Sequence, residues 1–149
     1  RTLYVEQEAW GEHVETVDVP ALFDRIDGAR QHIIRADSAR PEMISHLRNH
    51  GYPGMRAADK WPGSVEDGIG WLRGMDIVIH PACRHVAEDV RLWSYKTDRL
   101  TGDVLPKLAE GHDHGPDAVR YACAPMIRRG GVGVSSVVAS ARRRMGNRL

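Results

Sequence analysis

The stretch "QHIIRADSARPEMISHL" (residues 31–47) decides the fold, because it changes from a short apolar strand to an amphipathic helix within a few residues. The pattern of "QHIIRAD" predicts a strand that ends at Asp37, and Pro41 suits the first turn of a helix. The helix would bury residues at helical spacing: Met43, Ile44 and Leu47. A strand, a tight connection and a helix are the repeating unit of α/β proteins.

The same alternation continues along the chain. Strands are predicted at 2–8, 54–60 and 76–80, and helices at 18–26, 65–75 with Ser64 as its cap, 82–97 and 116–127. A Thr-Gly-Asp turn within 98–108 indicates a hairpin or an irregular loop. This order predicts an α/β fold with a largely parallel sheet and an antiparallel first strand.

The length of the chain indicates one domain, and its net charge is small. The 149 residues suffice for a single core, and the formal net charge is only +1. Residues 128–149 carry a run of basic side chains, including Arg142, Arg143 and Arg144, without an acidic one. We expect a domain over 1–127 and a flexible basic tail over 128–149, either solvated or in contact with phosphates.

Cysteine use and hydropathy bear on the surroundings of the chain. Cys83 and Cys123 lie in apolar helical patterns forty positions apart, which favours buried free thiols and a reducing, cytoplasmic setting. No apolar stretch has the length of a membrane span, so no membrane partner is predicted. The strand-like start, "RTLYVEQEA", suggests a piece of a longer polypeptide.

Asp37 is the first candidate for chemistry. It would lie at the carboxyl end of a strand, where ligands of open α/β sheets gather, and Ser38 and Ala39 leave room for a substrate. The alternative is that Asp37 only caps the helix that begins near Pro41. Position alone leaves both interpretations open.

The second candidate is "HDHGPDAVRY" (residues 112–121), which supplies Asp113, His114 and Asp117 around the start of the last helix. A cap needs one acidic group, and this segment has more. Two or three carboxylates suit a hard cation such as Mg²⁺. A zinc site would use both histidines with a cysteine, but neither cysteine has a usual ligand spacing.

Other motifs give weaker evidence of function. Lys60 follows a predicted strand and is placed either to hold a phosphate or to be solvated. The chain has no phosphate-binding loop, nucleophile elbow or H-E-x-x-H motif. Three tryptophans fit packing better than base stacking: Trp61, Trp71 and Trp93.

Several motifs, in order, resemble the C-terminal nuclease domain of tailed-phage terminase large subunits. They are "ADSARPEMISHL", "AADKWPGSVEDGIGWLR", "IVIHPACRHVAEDVRLWSYK", "TGDVLPKL" and "HDHGPDAVRYA", and the resemblance spans about residues 2–127. It implies an RNase H-like mixed sheet flanked by helices, and a two-metal Mg²⁺ or Mn²⁺ site that cuts double-stranded DNA.

The resemblance also implies roles for residues. Asp37 and Asp117 match metal-binding acidic residues, with Asp113 beside them, and His114 matches a histidine just before the helix aspartate. Lys60 matches a lysine that contacts DNA or supports the structure. The partners implied are the terminase ATPase domain, the small subunit and the portal protein, in the cytoplasm of a bacterial host.

One departure from the family pattern affects activity. The family's first metal-binding aspartate lies on a strand before the equivalent of "TLYVEQEA", and that strand does not occur in these residues. Glu6 and Glu8 cannot be assumed to replace it. Catalysis by this chain therefore stays open beside two alternatives, a non-catalytic remnant or docking module and another RNase H-like nuclease such as a resolvase or transposase.

Overall fold

The computed structural model describes residues 1–108 and 111–129. Strands in this part of the chain are β1 (Thr2–Val5), β2 (Ile34–Ala36), β3 (Met55–Ala57), β4 (Asp76–Ile79), β5 (Tyr95–Thr97) and β6 (Val104–Leu108). The helices are α1 (Val19–Phe23), α2 (Pro41–Asn49), α3 (Ser64–Arg73), α4 (Arg84–Leu92) and α5 (His114–Arg129). None of the helices in these residues combines the length and the apolar character needed to cross a membrane.

Strand pairing gives three small sheets in the described residues. β1 pairs in parallel with β4, β2 pairs in parallel with β3, and β5 pairs antiparallel with β6. The prediction of an antiparallel first strand is wrong, since Leu3 lies opposite Ile77 in a parallel register. The alternation of apolar and polar residues shows which side chains share a face of a strand. Whether the strand pairs in parallel or antiparallel depends on a partner far away in the sequence.

One core cluster lies around α1, α2, β2 and β3. Its most buried side chains are Ile34, Leu47, Tyr52 and Met55. Pro41 begins α2 as predicted, and Gly51, with a φ of +92°, follows its end. A left-handed backbone favours glycine there, so this unit follows its sequence closely.

The second core cluster joins β1 to the last helix. Leu3 and Val5 pack with Val119 and Cys123 of α5, and Leu72 belongs to the same cluster. α5 also contacts β2, so it lies against both parallel pairs. The two cysteines, Cys83 and Cys123, are buried free thiols, as predicted.

Two helix boundaries differ from prediction. Ser64 is not the cap of α3, because Gly63 takes the N-cap position with a φ of +81° and Ser64 is the first helical residue. α4 ends at Leu92 rather than near Thr97, because Tyr95–Thr97 pairs with β6 as one strand of the hairpin. Cross-strand pairing thus overrides the helical spacing of this segment.

Other elements differ in length or burial. β1 ends at Val5 rather than near Glu8, and α1 ends at Phe23 rather than Ile26. β4 is not fully buried, because Val78 is 48% exposed while its neighbours face the core. The last helix, α5, runs from His114 to Arg129 and so exceeds the predicted 116–127 at both ends.

Candidate active site

Asp37 lies directly after β2, at the carboxyl end of that strand. Its Oδ1 accepts a hydrogen bond from the Ala39 N–H at 3.0 Å and lies 2.7 Å from Lys60 Nζ. The N-cap residue of α2 is Arg40, so Asp37 is not the helix cap that was the alternative interpretation. Its carboxylate instead contacts Lys60, which follows the neighbouring strand β3.

Lys60, which follows β3 in the sequence, contacts this carboxylate. Burial alone would lower the pKa of the Lys60 ammonium, but its hydrogen bond to Asp37 and the nearby Tyr121 and Asp37 charges raise that pKa. Its Nζ also lies 5.4 Å from the centroid of the Tyr121 ring. Lys60 therefore stays charged at neutral pH and joins β3 to α5.

Tyr121 is the centre of the site. Two cations lie near its ring: the Lys60 ammonium and, at 4.8 Å from the ring centroid, the Arg120 guanidinium. Burial raises the pKa of the Tyr121 hydroxyl, and the negative charges of Asp117 and Asp37 raise it further. Both carboxylates thus act on one buried ring, which brings the end of β2 and the first turns of α5 together.

Asp117 is held by Arg120, three residues further along α5. Arg120 Nη2 lies 3.0 Å from Asp117 Oδ1, and the two side chains are only 7% and 14% exposed, respectively. The Arg120 stem packs on Gly68 of α3, where any Cβ would overlap it. Sequence analysis missed Arg120 and Gly68, although the i, i+3 spacing of Asp117 and Arg120 is a usable signal for the pair.

The start of α5 is positioned by Asp89, a buried residue of α4. Its Oδ2 accepts a hydrogen bond from the Gly115 N–H at 2.9 Å, and its Oδ1 lies 3.4 Å from His112 Nδ1. Gly115 allows this approach, since a Cβ there would lie 3.1 Å from Val86 Cα. Asp89 follows Glu88 in an amphipathic helix, and no sequence signal distinguishes it for this role.

Asp113 and His114 lie at the same helix start. The Asp117 N–H donates to the Asp113 carbonyl oxygen at 2.8 Å, and His114 Nδ1 is 3.7 Å from Asp113 Oδ1. The Trp10 ring lies 6.0 Å from the His114 ring. His114 and Asp117 thus lie in the first turn of α5, and Asp113 lies immediately before it.

Glu8 has a structural role in this neighbourhood. Its two oxygens accept hydrogen bonds from the His85 N–H at 3.0 Å and the Val86 N–H at 2.9 Å, at the start of α4. Trp10 stacks on the His85 ring at 4.7 Å. Glu8 therefore anchors a helix through its carboxylate, which argues against it as a replacement metal ligand.

The donor set is suited to a hard cation but is small. Among residues 1–108 and 111–129, no three His, Cys, Asp or Glu side chains converge in a ready-made metal cluster. Asp37 and Asp117 are two carboxylates near one ring, and Mg²⁺-type ions bind through one or two carboxylates with waters and substrate phosphates. Asp37 and Asp117 supply carboxylate oxygens of the type that such an ion binds.

The remaining predicted residues have other placements. Trp61 Nε1 donates to Asp67 Oδ2 at 2.7 Å, while Trp71 and Trp93 pack against the second core cluster, so all three tryptophans have packing or anchoring roles. Arg142, Arg143 and Arg144 lie outside the described residues.

Two comparisons relate the chain to a known protein. It is 36% identical over 102 residues to the large terminase subunit of Bacillus phage SPP1, a match that covers 66% of this chain and 24% of that relative. The crystal structure of the Mn-bound nuclease domain of the SPP1 large terminase superposes with a TM-score of 0.65 and 32% identity, over 74% of this chain and 63% of that domain. No protein-family model matches the chain.

The structural match gives the class first, because the chain shares the α/β, RNase H-like fold of that nuclease domain. Within that class, the chain is homologous to the nuclease domain of phage terminase large subunits, as the resemblance predicted. The chain spans about a quarter of the length of the SPP1 large subunit.

Proposed function

We propose that this chain is the metal-dependent endonuclease domain of a phage DNA-packaging terminase, which cuts concatemeric double-stranded DNA. The observation that carries the proposal is that the cation partners of Asp37 and Asp117, Lys60 and Arg120, both lie against the Tyr121 ring. Homology to a nuclease domain that was solved with bound Mn supports it.

Asp37 and Asp117 would hold the divalent cation, Mg²⁺ or Mn²⁺, through carboxylate oxygens. Asp113, just before α5, was predicted as a third ligand, but in the described residues it does not converge with Asp37 and Asp117, so the proposal rests on those two. Such an ion would polarise the scissile phosphate and lower the pKa of a bound water. A second ion needs ligands beyond Asp37 and Asp117.

The residues of this chain would act through position and charge. His114 lies in the same first turn as Asp117, and in this proposal it would orient the attacking water by a hydrogen bond. Lys60 and Arg120 offset the charge of the two aspartates, which otherwise repel each other.

One ion held by Asp37 and Asp117 would support slow cutting by the 149 residues, and the ligand of a second ion, which would raise the rate, would come from a first strand that the resemblance implies beside β2. β1 and β2 each pair on one side only within the described chain, and α5 packs against both strands. A strand between them would complete one mixed RNase H-like sheet and bring an aspartate next to Asp37.

DNA would approach the carboxyl ends of β2 and β3. Lys60 and the tail residues Arg142, Arg143 and Arg144 are the phosphate contacts we assign. The boundary expected after residue 127 falls inside α5, which continues to Arg129, so the basic tail would begin after that helix. The ATPase domain, small subunit and portal protein would be its partners in the host cytoplasm. These assignments follow from the terminase resemblance.

A plasmid assay tests the proposed activity. The 149-residue chain in Mn²⁺ should convert supercoiled plasmid to nicked and linear forms. Asp37→Asn and Asp117→Asn should each slow this conversion by at least about 100-fold, because mutation of even the outer-shell partners of metal ligands costs up to about 100-fold. Asp27→Asn changes an exposed carboxylate of the α1–β2 connection and should leave the rate unchanged.

Circular dichroism establishes that each variant is folded before rates are compared. No cutting by the folded parent chain would contradict the proposal for these 149 residues. Equal cutting by Asp117→Asn and the parent would reject the assigned site.

A further inference from the structure

The two proposed metal ligands each face a cation of this chain, and the two cations are held differently. Lys60 Nζ lies 2.7 Å from Asp37 Oδ1, and Arg120 Nη2 lies 3.0 Å from Asp117 Oδ1. Each carboxylate is therefore partly neutralised without any bound ion. A divalent cation that binds these oxygens must compete with, or coexist beside, a positive charge already present.

Arg120 is fixed in its place. Its side chain is 7% exposed, its guanidinium stacks on Tyr121 at 4.8 Å, and its stem fills the space above Gly68. Moving this group would open a gap between α3 and α5 and would leave a buried carboxylate without its charge partner. Arg120 is therefore retained whether or not an ion binds.

Lys60 is held far more loosely. Its side chain is 42% exposed, and its ammonium contacts Asp37 Oδ1 and, at 5.4 Å, the Tyr121 ring. An ammonium on a flexible four-carbon stem is a point charge that takes many positions, unlike a planar guanidinium fixed in a fork. Because Lys60 is partly exposed and on a flexible stem, its departure from Asp37 would disturb the packing of α5 less than the departure of Arg120 would.

We propose that Lys60 is a displaceable counter-ion of Asp37, which neutralises this carboxylate in the metal-free protein and leaves it when a divalent cation binds. The inference rests on the proposed function, because it assumes that Asp37 is a metal ligand. Its consequence is competition, so that the positive charge of Lys60 weakens metal binding. The released ammonium is then available to a DNA phosphate at the same strand end.

A purely structural ion pair would have the opposite effect. If Lys60 served to orient the Asp37 carboxylate for a metal, its removal would weaken metal binding. The sign of the change in affinity therefore separates the two roles.

The experiment measures Mn²⁺ binding directly, by calorimetry and by the electron paramagnetic resonance signal of free Mn²⁺, with no DNA present. Lys60→Met keeps the length of the stem and removes the charge, and it should bind Mn²⁺ about tenfold more tightly than the parent, which corresponds to about 1.4 kcal/mol. Lys60→Arg keeps the charge and should bind within about twofold of the parent, well below that tenfold step. Asp37→Asn identifies the ligand.

The outcomes separate the inference from the site on which it rests. Unchanged or weaker binding by Lys60→Met, together with loss of binding by Asp37→Asn, would overturn the counter-ion role and leave the metal site intact. Parent-like binding by Asp37→Asn would overturn the metal site itself. If the parent binds no Mn²⁺, binding gained by Lys60→Met supports the inference, and no gain rejects it.

Discussion

Two aspartate–cation–tyrosine groups in this molecule differ in how firmly the cation is held. In the first, Arg30 donates through Nε and Nη2 to the two oxygens of Asp24, each at 2.8 Å, and stacks on Tyr52 at 4.7 Å. In the second, Lys60 makes one 2.7 Å contact with Asp37 beside Tyr121. The same residue types thus form a fixed structural group in one place and an exchangeable one in the other.

The difference follows from hydrogen-bond geometry. Arg30 also donates to the His50 carbonyl oxygen at 3.0 Å, and the Tyr52 hydroxyl lies 2.5 Å from Asp24 Oδ1. The hydrogen bond from Arg30, followed by the one from Tyr52, lowers the pKa of Asp24. A bidentate guanidinium pair with further donors is fixed in direction, whereas the Lys60 ammonium is a point charge on a flexible stem. The first group supports the fold, and the second is suited to a change of partner.

The largest expected effect is on the first group. Tyr52 is fully buried, so Tyr52→Ala should lower the free energy of unfolding by about 3–5 kcal/mol, measured by urea denaturation. Tyr4→Ala removes an exposed ring and should change it by no more than about 0.5 kcal/mol. Equal losses in the two variants would show that Tyr52 is not a structural centre.

A smaller effect should sharpen the role of Arg120 in the second group. Gly68→Ala places a Cβ in the stem of Arg120 and should cost about 1–3 kcal/mol of unfolding free energy through overpacking. Gly70→Ala, in the same helix, meets no atom within 4 Å and should stabilise the protein by up to about 1 kcal/mol. Thermal unfolding of the pair measures the contrast, and a stabilised Gly68→Ala variant would contradict the close packing of α3 on α5.

The smallest effect is expected from pH. Burial, with the hydrogen bond and charge of Asp24, raises the pKa of Tyr52 to about 12 from a usual value of 10.0. The folded state keeps this proton longer than the unfolded chain, so the stability it contributes is complete below about pH 10 and is lost as the pH rises toward 12. The pKa of Tyr121 is raised in the same direction.

Urea midpoints at pH 9 and pH 11 test this dependence. The fall between the two pH values should be smaller in Tyr52→Phe than in the parent, because the variant has no hydroxyl to ionise. A fall of equal size in both would mean that Tyr52 does not account for the alkaline loss.

Local parts of the fold were predictable from sequence. The β2–Asp37–α2 unit follows from a short apolar run, a proline at the first helical turn and a glycine after the last, all of which act within a few residues. The same locality explains why Asp113, His114 and Asp117 were placed together. Gly63 and Ser64 show the limit, since the sequence pattern alone did not distinguish a glycine cap from a serine cap.

Contacts between distant elements were not predictable from patterns. The parallel register of β1 and β4 joins Leu3 to Ile77, and nothing in either strand encodes its direction. The roles of Gly68 and Arg120 arise only where α3 crosses α5. Lys60 was identified as an interesting cation, but its contact with Asp37 depends on the pairing of β2 with β3.

Glu8 and Asp89 position the helices of the site, and other residues would carry out its chemistry. Glu8 holds the start of α4, and Asp89, on α4, holds the start of α5, which carries Asp117. The residues that set the direction of α5 are thus different from those that would meet DNA or a cation. Relatives can therefore diverge in substrate-facing side chains while keeping the inherited alignment, so a change of specificity during evolution does not require a new way to fold.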